Sequence, residues 1–413
     1  MKKIQRLRKI IGPSVITGAS DDDPSGIATY TQAGAGFGFQ FLWTAILTYP
    51  LTVTVQEMCG RIGIVTRKGL IGILKKNYPR PLMWMMIVLS FPAIVLNISA
   101  NLAGMGAVSN LLIPSVPSSV FAISFSLLLL FNLIKLSYRK IANVLQVLCL
   151  VLLCYVIVPF LSEQDWGKIL KDTFIPSLEL NTRSLSILVG IFGTTISPYL
   201  FFWQTSMEVE EVKERKIMVD KQLIDDARLD VRVGMFVTNF IFFFIILTAG
   251  SELFPKGITN IETVDQAALA LRPLVGESAY FLFALGVIGT GLLSIPVLAG
   301  SLSYMLSEAF GWKEGLNKKF HQAKGFYAVM IFSMLLALGI DLAGINPVRS
   351  LIYTAILYGI TAPILIGIIM HIGNNKKLMG KFTNRKTSNI LGVATLLIMT
   401  AAAITLIFLW IKN

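Results

Sequence analysis

The sequence predicts an all-α integral membrane protein of eleven spans, built as two five-span halves and one further helix. Three observations predict it. Hydrophobic residues make up 54% of the 413-residue chain against 14% charged, with a mean hydropathy of +0.71, far more apolar than a soluble chain of that length. Apolar stretches of about 20 residues, the length needed to cross a bilayer, recur from end to end. The first and sixth are each interrupted by proline, at Asp23-Pro24 and Ser197-Pro198. Interrupted segments at matching positions of two halves mark repeats that meet around a site at mid-membrane.

The spans fall at 11–32, 39–59, 83–112, 119–136, 141–161 and 184–206, then at 232–253, 277–308, 325–341, 347–372 and 388–411. The chain is read as one transmembrane domain over 1–413, with inverted repeats at about 11–161 and 184–372 and an extra helix at 388–411. An odd number of spans per half gives the halves opposite orientation. Lys and Arg crowd the first nine residues and the connections after spans two, four, six, eight and ten, while loops 33–38 and 113–118 are nearly free of them. That asymmetry places the N-terminus in the cytoplasm and the C-terminus outside. It also accounts for the net charge of +13 without nucleic acid as a partner.

The basic start is not read as a signal peptide, because Pro13 and the aspartates interrupt the apolar run and no small-residue cleavage site follows. Cys59, Cys149 and Cys154 lie in spans without metal-ligand spacing and read as small buried apolar residues. The mixed-charge run from Met207 to Asp230 is expected to form a solvated cytoplasmic helix. Gly34, Gly36 and Gly38 are read as a tight external turn, since no strand precedes them to make a nucleotide loop. Pro296 and Pro363 are expected to kink their helices.

The chemistry concentrates in Ser20-Asp21-Asp22-Asp23-Pro24-Ser25-Gly26, inside the first span. A carboxylate at mid-bilayer costs about 2.5–3.5 kcal/mol on insertion scales, so three in a row need a cation, protons or water. Pro24 has no N–H and pushes Asp23 away from helical dihedrals, so the helix must break there. Such a break survives at membrane depth only where it lines a cavity inside the protein. Half-helix N-termini favour anions and unwound carbonyls favour cations; the aspartates decide for a cation. The spans hold neither a nucleophile with its base nor a histidine-rich ligand set, so no enzyme and no resident cofactor are expected.

With these residues in view, the chain resembles the NRAMP family of divalent-metal transporters. Gly12-Pro13 leads into Asp23-Pro24-Ser25-Gly26, where the family has Asp-Pro-Gly-Asn. Ala28-Thr29, Gln32-Ala33-Gly34-Ala35 and Trp43 follow at family spacing, Arg61-Ile62-Gly63-Ile64-Val65-Thr66 closes span two, and Lys376-Lys377-Leu378-Met379-Gly380 follows span ten. The resemblance implies the LeuT-like five-plus-five inverted repeat with broken helices 1 and 6, working by alternating access.

The departures shape the expected substrate. The family holds metal with the Asp and Asn of span one and with a carbonyl and the Met of Ala-x-x-Met-Pro-His in span six. Here Asp23 is kept, Gly26 stands for the asparagine, Thr194 takes the carbonyl position and Ser197 replaces the methionine. Loss of the soft sulfur favours magnesium or manganese over later transition metals. A roomier all-oxygen site beside Asp21, Asp22 and Asp23 suits magnesium, which keeps several of its waters. This is similar to the NRAMP-related magnesium transporters, which implies Mg2+ or Mn2+ as substrate.

Proton coupling is expected to be absent. In the family it involves acids in span three and histidines in span six; this chain has Asn97-Ile98-Ser99-Ala100, and Tyr199 and Gln204 at the histidine positions. His321 and His371 read as peripheral. Gln32, Asn97, Tyr199 and Gln204 are candidates for the substrate pathway, and Asn101 and Asn239 either line it or bond between helices. The partners implied are the ion and the lipid bilayer; nothing indicates an oligomeric state. Two alternatives stay open: a proton-coupled manganese or iron transporter of the family's standard type, and a sodium-coupled organic-solute transporter of the same fold.

Overall fold

A computed structural model of the chain describes residues 18, 21–135, 150–161, 163–214, 218–262, 264–344 and 346–412. Cys149 and the first parts of spans one and five lie outside the described residues. Helix α1 (Pro24–Phe37) starts where the aspartate row ends, with Asp23 as its N-cap. Proline at the first helical position loses nothing there, since that N–H has no intrahelical partner. After α2 (Trp43–Thr66) and short α3 (Leu70–Asn77) come α4 (Arg80–Leu112) and α5 (Ser118–Lys135). Helical turns then cover Leu150–Phe160.

The second half opens with α6 (Trp166–Phe174), α7 (Thr182–Thr195) and α8 (Pro198–Glu214). Helices α9 (Lys221–Glu252), α10 (Ala279–Phe310), α11 (Lys324–Leu342), α12 (Pro347–Asn374) and α13 (Lys386–Lys412) complete the chain. Among the described residues eight helices are long and apolar enough to cross a membrane, with α7 and α8 counted as one. The broken α1, the more polar α2 and the partly described turns after residue 150 bring the segments to the predicted eleven. The protein is a multi-pass membrane protein.

Small residues set the packing, because in lipid helices gain from close approach of their backbones rather than from excluding water. A Cβ on Gly34 of α1 would lie 2.3 Å from the Ile246 carbonyl of α9. One on Gly193 of α7 would lie 1.9 Å from the Ala355 carbonyl of α12, and one on Gly63 of α2 would lie 2.3 Å from that of Thr205 in α8. Helices α1 and α7 run side by side, Gly190 of α7 facing Thr29 of α1, and their breaks meet in the interior.

The connections after spans two, six, eight and ten converge at one end of the bundle. Arg61 of α2 donates to the Phe382 carbonyl and to Asn384, both at 2.6 Å. Arg228 of α9 pairs with Glu57 at 2.9 Å and with Asp225 at 2.8 Å. Glu210 of α8 accepts from the backbone of Leu316 and Asn317 and from the Tyr304 hydroxyl. At the opposite end Gln32 of α1 clasps a loop, donating to the Thr259 carbonyl at 3.0 Å and accepting from Ile261 N at 2.7 Å.

Several local expectations need correction. The mixed-charge run is no separate solvated helix: α8 continues to Glu214, α9 begins at Lys221, and Glu208 is buried and bonded to Gln204 at 3.0 Å. Gly34 and Gly36 lie within α1, where closeness to α9 requires Gly34 to lack a side chain; only Gly38, at φ +61, ends the helix. Span two runs to Thr66, several residues beyond its predicted end. Helix α6, nine residues long and capped by Asp165, was not predicted, since it is far too short to span.

Candidate cation site between the two helix breaks

The break in the first span leaves Asp22 and Asp23 outside helical structure. Asp23 has extended backbone, with φ −72 and ψ 170, and its carboxylate turns back to cap α1. Its Oδ1 accepts from Gly26 N at 2.9 Å and from the Ser25 hydroxyl at 2.8 Å. Its Oδ2 accepts from the amides of Asn97 at 3.0 Å and Asn101 at 3.2 Å, one turn apart on α4. A carboxylate has about four acceptor positions, so in this conformation Asp23 is fully occupied by protein donors.

Asp21 and Asp22 are in the opposite condition. Both are about 1% exposed, and none of their four carboxylate oxygens has a hydrogen-bond partner among the described residues. Orphaned polar atoms are uncommon in native interiors, and orphaned carboxylates are the costliest kind. Asp21 stands beside Ser197 of the second break. The single Ser197 proton, however, goes to the carbonyls of Thr194 at 2.6 Å and Gly193 at 3.1 Å, closing the end of α7. With that proton on the carbonyls, the Ser197 lone pairs can face a cation.

Gly26 binds the two breaks together. A Cβ built there would meet the Asp21 carbonyl and Thr194 Oγ1, each at 3.3 Å, and the Tyr30 ring at 3.2 Å. The backbone oxygen of Asp21 and the hydroxyl of Thr194 thus converge over the glycine. This corrects one expectation, since the place of the family's asparagine is no open space here. A second correction concerns the acid row. Among the described residues no three His, Cys, Asp or Glu side chains are arranged to hold a metal ion. The three aspartates do not close on one point, because consecutive residues at a break aim in different directions. What the breaks do assemble is Asp21 with Ser197, Thr194 and Gly26; Asp22 stands alone and Asp23 faces α4.

Of the pathway candidates, Asn97 lies on Asp23. Tyr199 is buried just past the second break with its ring 5.8 Å from that of Tyr358. Gln32 and Gln204 lie away from the breaks, the first on the loop at Thr259 and the second on Glu208. Sequence reasoning missed Ser294, which accepts from Asn101 at 3.1 Å, and Tyr358. The four-residue spacing of Asn97 and Asn101 was the one available signal for a shared polar face. Asn239 bonds Thr48 at 2.8 Å, between helices rather than on a route. His371 meets Tyr78 at 2.9 Å and His321 sits in an exposed turn, so both are peripheral.

The sequence model of the family described as "Natural resistance-associated macrophage protein-like" (Nramp) matches residues 14–409, nearly the whole chain. The chain belongs to the Nramp family. Nramp relatives include proteins named "Divalent metal cation transporter MntH". One is from Caldanaerobacter subterraneus, 24% identical over 95% of this chain and 90% of the relative. Another is from Yersinia pestis, 26% identical over 95% and 94%. Among solved structures, an Eremococcus coleocola manganese transporter superposes with a TM-score of 0.75 at 18% identity, covering 95% of this chain and 85% of that one. MhsT in complex with L-phenylalanine superposes at 0.66 with 13% identity, covering 96% and 97%. These likenesses establish for this Nramp chain the LeuT-like fold with helices 1 and 6 broken.

Proposed function

We propose that this protein carries divalent metal cations across the membrane by alternating access, with Mg2+ or Mn2+ as substrate and no coupled proton. One observation carries the reading: two buried carboxylates, Asp21 and Asp22, sit at the first break with none of their four oxygens hydrogen-bonded among the described residues. A doubly charged ion supplies what they lack. Relatives named as divalent metal cation transporters support the class of substrate.

The proposed ligands are the side chain and carbonyl of Asp21 and the hydroxyls of Thr194 and Ser197, with Asp22 acting through the water of the ion's shell and Asp23 joining as its donors are displaced. Every one is an oxygen, and that set suits magnesium and manganese better than softer metals. With few carboxylates converging, much of the ion's shell would be water, as magnesium prefers.

The described conformation supports an occluded stage of the cycle. Asp21, Asp22, Asp23, Thr194, Ser197 and Tyr199 are all at most 2% exposed. Between Pro24 and the loop at Ile261 lies a small apolar cavity of about 30 Å³, and Gln32 fastens that loop down. We place the Arg61 and Glu210 end in the cytoplasm, following the basic loops. A divalent ion entering a negative interior gains about 4.6 kcal/mol per 100 mV, twice the value for one charge, so uptake needs no proton. The neighbour that binds L-phenylalanine shares the fold, but the aspartate row would repel a substrate carboxylate.

The test is flux in proteoliposomes with Mg2+, Mn2+ and Ca2+, with and without a pH gradient. Uptake that follows the membrane potential and leaves the lumenal pH unchanged is expected. Lumenal acidification accompanying metal entry would overturn the uncoupled reading, and absence of metal uptake would overturn the function.

A further inference from the structure

We propose that Asn97 and Asn101 are themselves ligands of the transported cation, giving up their donor role to Asp23 and turning their amide oxygens to the ion as it arrives. The assignment rests on the transport reading above for the identity of the ion. Asp23 cannot take an ion in the described state, because all its acceptor positions are filled. Of its two oxygens, Oδ1 is tied to the backbone of α1, whose N-terminus cannot move without unwinding. Among the described residues Oδ2 is held by two side-chain amides alone, so it is the oxygen an ion can reach.

A cation arriving at Oδ2 meets two N–H donors, which repel it. A half-turn about the Cβ–Cγ bond exchanges each amide's nitrogen for its oxygen at the same place. The orphaned atoms point the same way, since Asn97 Oδ1 and Asn101 Oδ1 are both buried with no partner among the described residues. An asparagine placed only to donate would leave its carbonyl satisfied elsewhere. After the turn Ser294 Oγ, which now lies 3.1 Å from Asn101 Nδ2, stands beside the amide oxygen and can donate to it, and Tyr358 stands beside Asn97. The amides thus replace the ion's charge when the site is empty and its water when the site is full. Amide oxygens are hard ligands, which adds to the preference for magnesium or manganese.

A ligand role and a donor-only role predict opposite signs. If the amides only stabilise the empty Asp23, removing them destabilises the empty state and tightens cation binding. If they are ligands, removing them weakens it. The experiment is isothermal titration of the full-length protein in detergent with Mn2+, for wild type, Asn97→Leu, Asn101→Leu, Asn97→Asp and Asn101→Asp. The leucine variants are expected to lose about 10- to 100-fold in affinity, the range for losing a supporting metal contact. The aspartate variants, which keep the oxygens and lose the N–H groups, are expected to bind at least as tightly as wild type. Leucine variants binding as well as or better than wild type would overturn the proposal, and so would a tenfold loss in the aspartate variants. Should a leucine variant not fold, the isosteric aspartate pair decides alone. Wild type that binds Mn2+ but moves none in proteoliposomes removes the transport reading and leaves this test standing. Wild type that binds no Mn2+ removes both.

Discussion

Three consecutive aspartates take three different roles, and the difference lies in who donates to them. Asp23 has four protein donors; Asp21 and Asp22 have none among the described residues. Asp23→Ala should therefore lower the melting temperature of the metal-free protein. The cost is about 1–3 kcal/mol for each buried donor left dry, and unchanged melting by fluorescence in detergent would contradict the hydrogen-bond assignment. Ser197→Met should shift transport selectivity toward cadmium relative to manganese, because sulfur replaces a hydroxyl at the second break. It should also cost stability through the lost bonds to Thr194 and Gly193. A competition flux assay with unchanged selectivity would count against ligand softness as the determinant. At this scale the sequence was informative about identity and silent about partners. Three acids at a proline announced a break, but whether Asp23 meets a donor or an ion depends on α4, some 75 residues away in the chain.

At the scale of elements, the two breaks are held by glycine contacts and the bundle ends by polar clasps. The loop after α10 illustrates a clasp under strain. Glu314 has one buried carboxylate oxygen without a partner among the described residues. Burial pushes its pKa above the ordinary carboxylate range, held back by Lys213 and Lys318 and raised further by Glu210. The folded state therefore favours the protonated form. Its contribution to stability is fully present below the ordinary carboxylate pKa and is lost as pH rises through the raised one. Glu314→Gln should remove that loss, so the melting advantage of the variant over wild type should grow from acid to mildly alkaline pH. An advantage independent of pH would contradict the burial argument. Element boundaries were only partly legible in the sequence. Apolar length located the long spans, but α8 and α9 run past the membrane-length window on charged turns whose inner faces, such as that of Glu208, are buried. Periodic burial of a charge leaves no apolar signal to read. Helix α6 escaped because nine residues carry too little pattern to separate an interfacial helix from a loop.

For the whole molecule, the membrane setting and the pairing of two interrupted spans were readable because both follow from hydrophobic length and from proline geometry. The closing of both ends around the breaks was not, since it depends on contacts such as Gln32 with Thr259 and Arg61 with Phe382, far apart in the chain. The structure joins two buried acids, without hydrogen-bond partners among the described residues, to a fold with two breaks at its centre, an arrangement that costs stability unless an ion relieves it. The most direct test is the melting temperature of wild type and of the double variant Asp21→Asn, Asp22→Asn in detergent, with and without Mg2+ or Mn2+. The account predicts that metal raises the wild-type value, whereas the variant melts higher than wild type without metal and does not respond to it. A variant that responds to metal as wild type does would contradict the claim that these two carboxylates receive the ion.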